Sequence, residues 1–171
     1  QADIEPGDYI WSEYAVGFDG CLSHYDLTQA VAIEELIQTL NKIAPAYPLQ
    51  SAFYATKAYN GYSQLKAIGH SGITFTCPGF YGPQHRRLRL PLLATDIWTM
   101  SQSLQYQGLR VLNFEMEAAM VMGLGAALGH QCATVCVALT NRLNQTWVDD
   151  TNHVISKLIK AVLAAIVQDC G

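Results

Sequence analysis

The stretch VLNFEMEAAMVMGLGAALGHQCATVCVAL, residues 111–139, contains a strand, a helix and a second strand in succession. The apolar pair Val111-Leu112 predicts a short strand, and the alanine- and methionine-rich run from Glu115 to Leu128 predicts a helix that ends at Gly129. The run Ala133–Leu139 predicts a strand of the continuously apolar kind that is buried on both faces. This strand–helix–strand unit is typical of an α/β protein.

The alternation of strands and helices continues on both sides of this unit. Further strands are predicted at Tyr9–Val16, Ser51–Lys57 and Ile73–Cys77, and residues 60–72 are expected to form a loop with one helical turn. Helices are predicted from the N-cap Thr28 to the turn at Pro45, from Asp96 to Gln105 with Ile97, Met100 and Leu104 inward, and from caps at Asp149–Thr151 to Gln168 with a stripe of Val154, Leu158, Val162 and Ile166. The pattern predicts an α/β sandwich around a largely parallel or mixed sheet.

Length and composition limit the class of protein. The chain has 171 residues, of which 50% are hydrophobic and 14% charged, so residues 1–171 are expected to form a single domain. A formal net charge of −4 provides no positive field to attract nucleic acid or anionic lipid. The acidic start does not resemble a signal peptide, and no run approaches the roughly eighteen apolar residues of a membrane span. We therefore expect neither nucleic acid nor a membrane as a partner.

The cysteines, histidines and glycines do not match a metal or nucleotide motif. Five cysteines and five histidines are scattered without the spacing of a zinc site or a disulfide framework, so we expect no metal and a reducing cytoplasmic location. Cys132 and Cys136, four apart in the last predicted strand, are expected to be buried, unpaired thiols. Gly123, Gly125 and Gly129 lie within and after a predicted helix, which indicates close helix packing instead of a phosphate-binding loop.

A loop with polar and aromatic residues follows the strand Ile73–Cys77. Its sequence is Gly79-Phe80-Tyr81-Gly82-Pro83-Gln84-His85-Arg86, and α/β proteins bind ligands at such strand ends. The Gln84 amide offers donors and an acceptor, and Arg86 offers a planar donor fork, so the two could bind a pyrimidine edge while Phe80 packs on the base. Alternatively, Gln84 and Arg86 are solvated loop residues and Phe80 is a core side chain.

Two further polar motifs lie near the ends of predicted strands. Asn113-Phe114-Glu115-Met116-Glu117-Ala118-Ala119 contains two carboxylates separated by one residue, which cannot share a helix face and are expected to have different roles. A carboxylate can accept hydrogen bonds from both vicinal hydroxyls of a ribose, although both glutamates could instead favour the positive end of the helix dipole. Thr140-Asn141-Arg142 follows the last strand, where the arginine could instead be a structural ion-pair or capping residue.

Together these motifs resemble those of the uridine phosphorylases, the pyrimidine-specific branch of the nucleoside phosphorylase family. Gly79–Arg86, Asn113–Ala119 and Thr140–Arg142 occur in the same order as three motifs of that family, and Gly17–Gly20 with Ser23–Tyr25 is similar to a fourth. The resemblance covers essentially the whole chain. It implies a three-layer α/β/α sandwich around a mixed sheet, and the reversible phosphorolysis of uridine to uracil and ribose 1-phosphate.

The resemblance also implies how the base is bound. Gln84 and Arg86 would hydrogen-bond the uracil edge, and Phe80 would flank the base. Thr140 and Arg142 would complete the substrate site, Arg142 from the far side of the pocket through water. Arg86 would be catalytic because negative charge grows on uracil as the glycosidic bond breaks, and a nearby cation stabilises that transition state.

For the ribose, the resemblance implies a second group of residues. Met116 would pack under the sugar, Glu117 would hold its 2′ and 3′ hydroxyls as the second catalytic residue, and Glu115 would also bind substrate. No covalent nucleophile or cofactor is implied, and inorganic phosphate is the co-substrate. His85 departs from the small or acidic residue that this family has between the glutamine and the arginine.

The phosphate-binding residues of the family lie upstream of the position that matches Gln1. The chain thus corresponds to the C-terminal two thirds of such an enzyme, without the phosphate-binding part and the first strands. We expect it to be part of a longer protein, since deleting strands would expose unpaired backbone and apolar surface, and the alternative is a divergent, shortened relative. The resemblance further implies a homo-oligomer, at least a dimer.

Two other functions are compatible with parts of the sequence. A purine nucleoside phosphorylase, or a nucleosidase of the same superfamily, generally has an aspartate after the penultimate strand to protonate the purine. This chain has Asn141-Arg142 there, and arginine cannot act as a general acid at neutral pH. A non-catalytic ligand-binding or oligomer-forming paralogue is the alternative outside enzymes. The motifs favour the pyrimidine enzyme.

Overall fold

Strands and helices alternate along the chain, as predicted. The computed structural model describes residues 1–25, 33–45, 53–92 and 96–170. The strands are β1 (Tyr9–Gly17), β2 (Tyr54–Lys57), β3 (His70–Thr76), β4 (Gln105–Tyr106), β5 (Leu109–Glu115), β6 (Val135–Val137), β7 (Thr140–Asn141) and β8 (Thr146–Trp147). The helices are α1 (Glu34–Ile43), α2 (Ser63–Ala67), α3 (Asp96–Ser103), α4 (Ala118–Ala127) and α5 (Thr151–Cys170).

The main sheet is mixed and is centred on β1 and β3. Strand β1 runs parallel to β3, β3 runs parallel to β5, and β4 pairs with β5 in the antiparallel sense. The other edge of β1 is shared, because its C-terminal half pairs with β2 and its N-terminal half with β6, both antiparallel. Strands β7 and β8 form a separate hairpin. The α/β fold with a mixed sheet confirms the predicted fold class.

Side chains alternate along β1, so this strand presents apolar residues to both faces of the sheet. Helices cover each face. On one face Tyr14 and Val16 pack in a core with residues of α1 and α3, namely Leu36, Leu40, Ile97 and Met100. On the other face Trp11 and Ala15 pack with residues of α2, α4 and α5, namely Leu65, Ala118, Met122 and Ala165. The predicted inward positions Ile97, Met100 and Leu104 are all buried. Within the described ranges, no helix is long and apolar enough to cross a membrane.

Several element boundaries differ from the predictions. Strand β5 extends to Glu115, and α4 begins at Ala118 instead of Glu115, because the Glu115 carboxylate accepts the first main-chain N–H groups of the helix. The predicted end of this helix is confirmed, since Gly129 adopts a positive φ of 77°. Helix α1 begins at Glu34, and the predicted N-cap Thr28 lies outside the described residues, as do residues 51 and 52 of the predicted second strand.

The prediction that Ala133–Leu139 is a strand buried on both faces is wrong. Strand β6 covers only Val135–Val137, and its three residues are half-buried. In the described part of the chain it pairs with β1 alone, so its second edge has no strand beside it. Cys132 and Cys136 are also half-buried instead of buried, although both are unpaired as expected. Hydrophobicity indicates which residues are apolar but not what covers them.

The two glycines within α4 permit the close packing expected from the sequence. A Cβ at Gly123 would overlap the side chain of Leu22, and one at Gly125 would overlap the side chain of Cys132. Helix α4 therefore lies against both the segment after β1 and the segment before β6. This packing accounts for the glycines without a nucleotide-binding role.

Candidate functional site

A single cavity of about 460 Å³ brings together all eight predicted site residues. It is bounded by the loop after β3, the end of β5 and the segment from β6 to β7. Because β3 and β5 are parallel, the segments that follow them leave the sheet at the same edge and meet there. The predicted residues that line the cavity are Phe80, Gln84, Arg86, Glu115, Met116, Glu117, Thr140 and Arg142.

The loop Gly79–Arg86, here called the base loop, is folded tightly upon itself. The main-chain N–H groups of Gln84 and Arg86 both donate to the carbonyl oxygen of Tyr81, at 3.1 and 2.8 Å. His85 lies between them in the left-handed region, with φ of 58°, and donates its N–H to Gly82. This turn directs the side chains of Gln84 and Arg86 to the same cavity.

Gln84 and Arg86 both have polar groups that the described part of the protein leaves unpaired. Gln84 is only 4% exposed, yet its side-chain amide forms no hydrogen bond with any described residue. Arg86 forms no ion pair there, its Nε is buried without a partner, and its guanidinium carbon lies 4.1 Å from the Phe80 ring centroid. Phe80 itself is 49% exposed. The alternative of a solvated Gln84 beside a buried Phe80 therefore does not describe this loop.

Arg142 holds the base loop from the opposite wall. Its guanidinium donates from Nη1 to the carbonyl oxygen of Gln84 at 2.7 Å and from Nη2 to that of His85 at 3.2 Å. The same group lies 5.0 Å from the Trp98 ring centroid. The pKa of Arg142 is lowered, mainly by burial and secondly by the positive charge of the nearby Arg86 guanidinium. Arginine nevertheless stays charged at neutral pH. The alternative of a structural arginine thus describes part of its role.

The base-loop side of the cavity carries uncompensated positive charge. The ion pairs among the described residues are Lys66–Glu13, His70–Asp8 and Arg110–Asp3, none of which includes an arginine of the cavity. Arg86 and Arg142 therefore face the same space without a carboxylate partner. Such a site favours a ligand that carries or develops negative charge.

Glu115 and Glu117 have different environments at the end of β5. The Glu115 carboxylate accepts hydrogen bonds from the hydroxyl of Thr76 and from the main-chain N–H groups of Glu117 and Ala118, the latter two at 2.7 and 2.6 Å. It therefore caps α4, as the helix-dipole alternative suggested, while also lining the cavity. Its predicted role in binding substrate stays a prediction.

Glu117 occupies the N-cap position of α4 but does not use its side chain as a cap. The carboxylate is exposed and forms no hydrogen bond with any residue that the structure describes. Met116, beside it, is also exposed at the cavity. Of the two glutamates, Glu117 is thus the one whose acceptors are available to a ligand.

Trp98 of α3 was not identified from the sequence. Its ring is almost parallel to that of Phe114, with an interplanar angle of 6° and centroids 6.4 Å apart. It also stacks with His85 at 6.3 Å and 21°. The one sequence signal is that Trp98 directly follows the inward-facing Ile97, on the flank of a predicted amphipathic helix.

Asn141 has a structural role that the sequence did not indicate. Its amide nitrogen donates to the carbonyl oxygens of Gln1 and Ile4 at 2.9 and 2.7 Å, and its side-chain oxygen accepts the N–H of Leu143. The residue is 6% exposed. Across the described ranges, no group of three or more histidine, cysteine, aspartate or glutamate side chains is arranged to hold a metal ion.

Comparison with known proteins places this chain in a family. A family model described as the phosphorylase superfamily matches residues 1–168. The chain belongs to the phosphorylase superfamily. This membership agrees with the resemblance that the ordered motifs carry.

Individual relatives of this phosphorylase-superfamily chain include enzymes named for uridine. A uridine phosphorylase of Haemophilus influenzae is 28% identical over 148 residues, which are 85% of this chain and 51% of the relative. The crystal structure of a Trypanosoma brucei nucleoside phosphorylase, described as showing uridine phosphorylase activity, matches with a TM-score of 0.80 and 22% identity over 97% of this chain and 59% of its own. A structure from work on two uridine phosphorylases of Phytophthora capsici matches with a TM-score of 0.58 and 22% identity, over 98% of this chain and 53% of its own. The chain thus spans about half the length of the curated relative that it matches.

Proposed function

We propose that this chain carries the base and ribose subsites of a nucleoside phosphorylase that acts on uridine. The reaction is the reversible cleavage of uridine by phosphate to uracil and ribose 1-phosphate. The observation that carries the proposal is one cavity in which, among the described residues, the Gln84 amide has no hydrogen-bond partner and the Arg86 guanidinium has no ion-pair partner. The Arg86 Nε is buried without a partner, and a buried polar group without a partner is costly, so the site is suited to a polar ligand.

At the base subsite, Gln84 and Arg86 bind the uracil edge and Phe80 flanks the ring. As the glycosidic bond breaks, its electron pair passes to uracil, and the negative charge spreads to the carbonyl oxygens. Arg86 donates to this charge, while Arg142 adds a second positive charge in the same cavity. Because the charge is larger in the transition state than in uridine, the stabilisation accelerates the reaction.

At the ribose subsite, the free Glu117 carboxylate accepts the 2′ and 3′ hydroxyls and Met116 packs against the sugar. Thr140 and Glu115 line the same cavity and complete the substrate site. Phosphate attacks the anomeric carbon on the face opposite uracil, so no covalent nucleophile is required. Phosphate is the proposed co-substrate.

The wider setting of the enzyme is proposed from the resemblance and the cysteines. All five cysteines are unpaired, which supports a reducing cytoplasmic location. The family resemblance supports a homo-oligomer with at least two subunits. No cofactor takes part in the proposed reaction.

A purine-specific enzyme is less well supported. Such an enzyme needs an acid near the purine at the position of Asn141, whereas the Asn141 amide is occupied by main-chain groups of residues 1–4. Its nitrogen acts as a donor to carbonyl oxygens, which a carboxylate could not do. The structural requirement for asparagine therefore argues against purine protonation at this position.

The test is an assay of base release by the protein as its gene encodes it, with uridine and inosine as substrates, in the presence and absence of phosphate. We expect uracil release that depends on phosphate, and inosine turnover lower by about a hundredfold or more. Comparable inosine turnover would instead indicate a purine enzyme, and release without phosphate would indicate a nucleosidase. Uracil binding without any turnover would indicate a non-catalytic paralogue.

A further inference from the structure

We infer that Trp98 is a positioning residue that holds the base loop in its binding conformation, acting through Arg142 and His85. This inference rests on the proposed function for the identity of the ligand, uracil. The contacts that hold the loop are independent of the proposed function, because they are made among the protein's own groups. The clamp is defined here as Trp98, Phe114 and Arg142.

Arg142 supplies the hydrogen bonds that join the base loop to another part of the described chain. The loop's other hydrogen bonds, from the N–H groups of Gln84, His85 and Arg86, all end on carbonyl oxygens within the loop. Among the described residues, the two hydrogen bonds from Arg142 are the ones that link loop Gly79–Arg86 to another part of the chain. One ends on the carbonyl oxygen of Gln84, a proposed base-binding residue, and the other on that of His85, which lies between Gln84 and Arg86. Movement of Arg142 would therefore remove a hydrogen bond to the main chain of Gln84.

Arg142 is itself held by aromatic rings instead of by a carboxylate. Its guanidinium lies 5.0 Å from the ring centroid of Trp98 and 6.0 Å from that of Phe114. The two rings are almost parallel and stacked, and both centroids lie within 6.0 Å of the cation. A partly desolvated guanidinium is attracted to such a surface, and a planar cation stacked on rings has few alternative orientations. Phe114 belongs to β5, so the clamp is anchored in the sheet.

Trp98 also contacts the base loop directly, through His85. The His85 ring stacks on the indole, and its main chain has a positive φ that residues with a side chain adopt at a cost. The stacking contact stabilises this conformation from one side, and the hydrogen bond from Arg142 to the His85 carbonyl stabilises it from another. Trp98 therefore contacts both the loop and the residue that fastens it.

Loss of Trp98 should loosen the base loop without removing any proposed substrate contact. Trp98→Ala removes the surface under Arg142 and the partner of His85, whereas Trp98→Phe keeps a smaller ring in the same place. Ligand binding is weakened by the free energy needed to order a mobile loop, and a loop that is already ordered avoids this cost. We expect the loop to be most ordered, and uracil affinity highest, in the wild type. Both should be lower in Trp98→Phe and lowest in Trp98→Ala.

The first measurement is amide hydrogen exchange in the full protein, for the wild type and the two variants. We expect Trp98→Ala to accelerate exchange of the Gln84, His85 and Arg86 amides by about tenfold, the order of one lost cation–π contact, and Trp98→Phe to have a smaller effect. Amides of β3 and β5 should be unchanged. The matched control is Tyr59→Ala, which removes another partly exposed ring that contacts an aromatic neighbour, Tyr62. Unchanged exchange in the base loop, or an equal rise throughout the sheet, would overturn the inference.

The second measurement is uracil binding by calorimetry in the same proteins. We expect Trp98→Ala to weaken uracil binding by about tenfold and Trp98→Phe by less, in parallel with the loss of exchange protection. If the wild type binds uracil and the Trp98→Ala variant binds it with equal affinity, Trp98 has no role in positioning the base loop. A wild type that binds no uracil would contradict the proposed function, and the exchange of the base-loop amides would still decide whether the clamp exists.

Discussion

Arg86 combines three local properties that suit a group that stabilises a leaving base. It lies on the cavity, it has no carboxylate partner within the described part of the chain, and it stacks on Phe80 at 4.1 Å. A guanidinium paired with a carboxylate would have its charge offset before a ligand arrived. The positive charge of Arg86 is thus available for the transition state.

Replacement of Arg86 should affect turnover more than substrate binding. We expect Arg86→Ala to lower kcat on uridine by about tenfold to a thousandfold, since a few kcal/mol of transition-state stabilisation would be lost. Arg86→Lys should also be impaired, because it retains the charge but not the planar fork. Steady-state kinetics would measure both, with the exposed neighbour Arg87→Ala as control. An unchanged kcat with only a raised KM would show that Arg86 acts on the ground state.

Glu117 is expected to distinguish the nucleoside from the free base. Glu117→Ala should weaken uridine binding by about 1 to 3 kcal/mol, the usual cost of leaving buried hydroxyls unpaired, and leave uracil binding nearly intact. Calorimetry with both ligands would test this, and uracil serves as the internal control. Equal losses for the two ligands would contradict a ribose role.

At the scale of elements, the short helix α2 shows how tertiary contacts stabilise what local sequence could not. A helix of five residues is not stable in isolation. Lys66 in its last turn pairs with Glu13 of β1 at 2.6 Å. Its first turn donates the N–H groups of Gln64 and Leu65 to the Asp169 carboxylate near the end of α5, at 2.9 and 3.0 Å. Asp169 therefore joins α2 to α5.

Replacement of Asp169 should lower stability in a pH-dependent manner. Partial burial tends to raise the pKa of this carboxyl, but the hydrogen bonds from Gln64, Leu65 and Ser63 outweigh it, so the pKa of Asp169 is lowered. A carboxyl with a lower pKa in the folded state adds stability above its unfolded pKa, about 3.9, and loses it as the pH falls through the folded value. Asp169→Asn should thus lower Tm at pH 7, and the difference from wild type should narrow below about pH 4.

Thermal unfolding between pH 3 and pH 7 would test the role of Asp169, over the range set by the unfolded pKa of aspartate. The control is Asp149→Asn, which removes the same charge from an exposed site without a hydrogen bond to a described residue. A constant difference in Tm over the whole range would show that the Asp169 charge is not responsible.

At the scale of the whole molecule, Asn141 joins the start of the chain to the β7–β8 hairpin. Its amide spans a sequence separation of 140 residues to reach Gln1 and also binds the carbonyl of Ile4. Both Gln1 and Ile4 line the same cavity as the predicted site residues. This residue therefore helps to complete one wall of the site.

Asn141→Asp should destabilise the protein and not confer purine activity. The carboxylate cannot donate to the carbonyls of Gln1 and Ile4, so buried acceptors would lose their partner at a cost of about 1 to 3 kcal/mol. Denaturant unfolding would measure the loss, and inosine turnover would measure any gain of activity. The matched control is Asn144→Asp, at an exposed site whose side chain donates one hydrogen bond, to the carbonyl oxygen of Ala2. This variant should lose less stability. Increased inosine turnover in Asn141→Asp would contradict the structural role.

The sequence by itself determined the order and type of the long elements, because alternation and helical spacing directly reflect which side chains are apolar. Strand β1, the start of helix α3 and the Asp150 cap of α5 are where the sequence places them, and Ile97, Met100 and Leu104 are buried as predicted. The predicted end of helix α3 at Gln105 is wrong, because α3 ends at Ser103 and Gln105 belongs to β4. The resemblance of the sequence motifs to the uridine phosphorylases also indicated eight side chains, and these line one cavity.

Only the tertiary structure decided which of these polar groups are already paired. Glu115 and Glu117 are separated by one residue in the sequence, yet in the structure only Glu115 caps α4, and its carboxylate also accepts a hydrogen bond from Thr76 on the neighbouring strand. The contact of Trp98 with Arg142, and the open edge of β6, likewise depend on residues distant in the chain. Sequence periodicity reflects whether a side chain is polar or apolar. Which distant groups it contacts, and which elements bury it, depend on packing between elements that are far apart in the sequence.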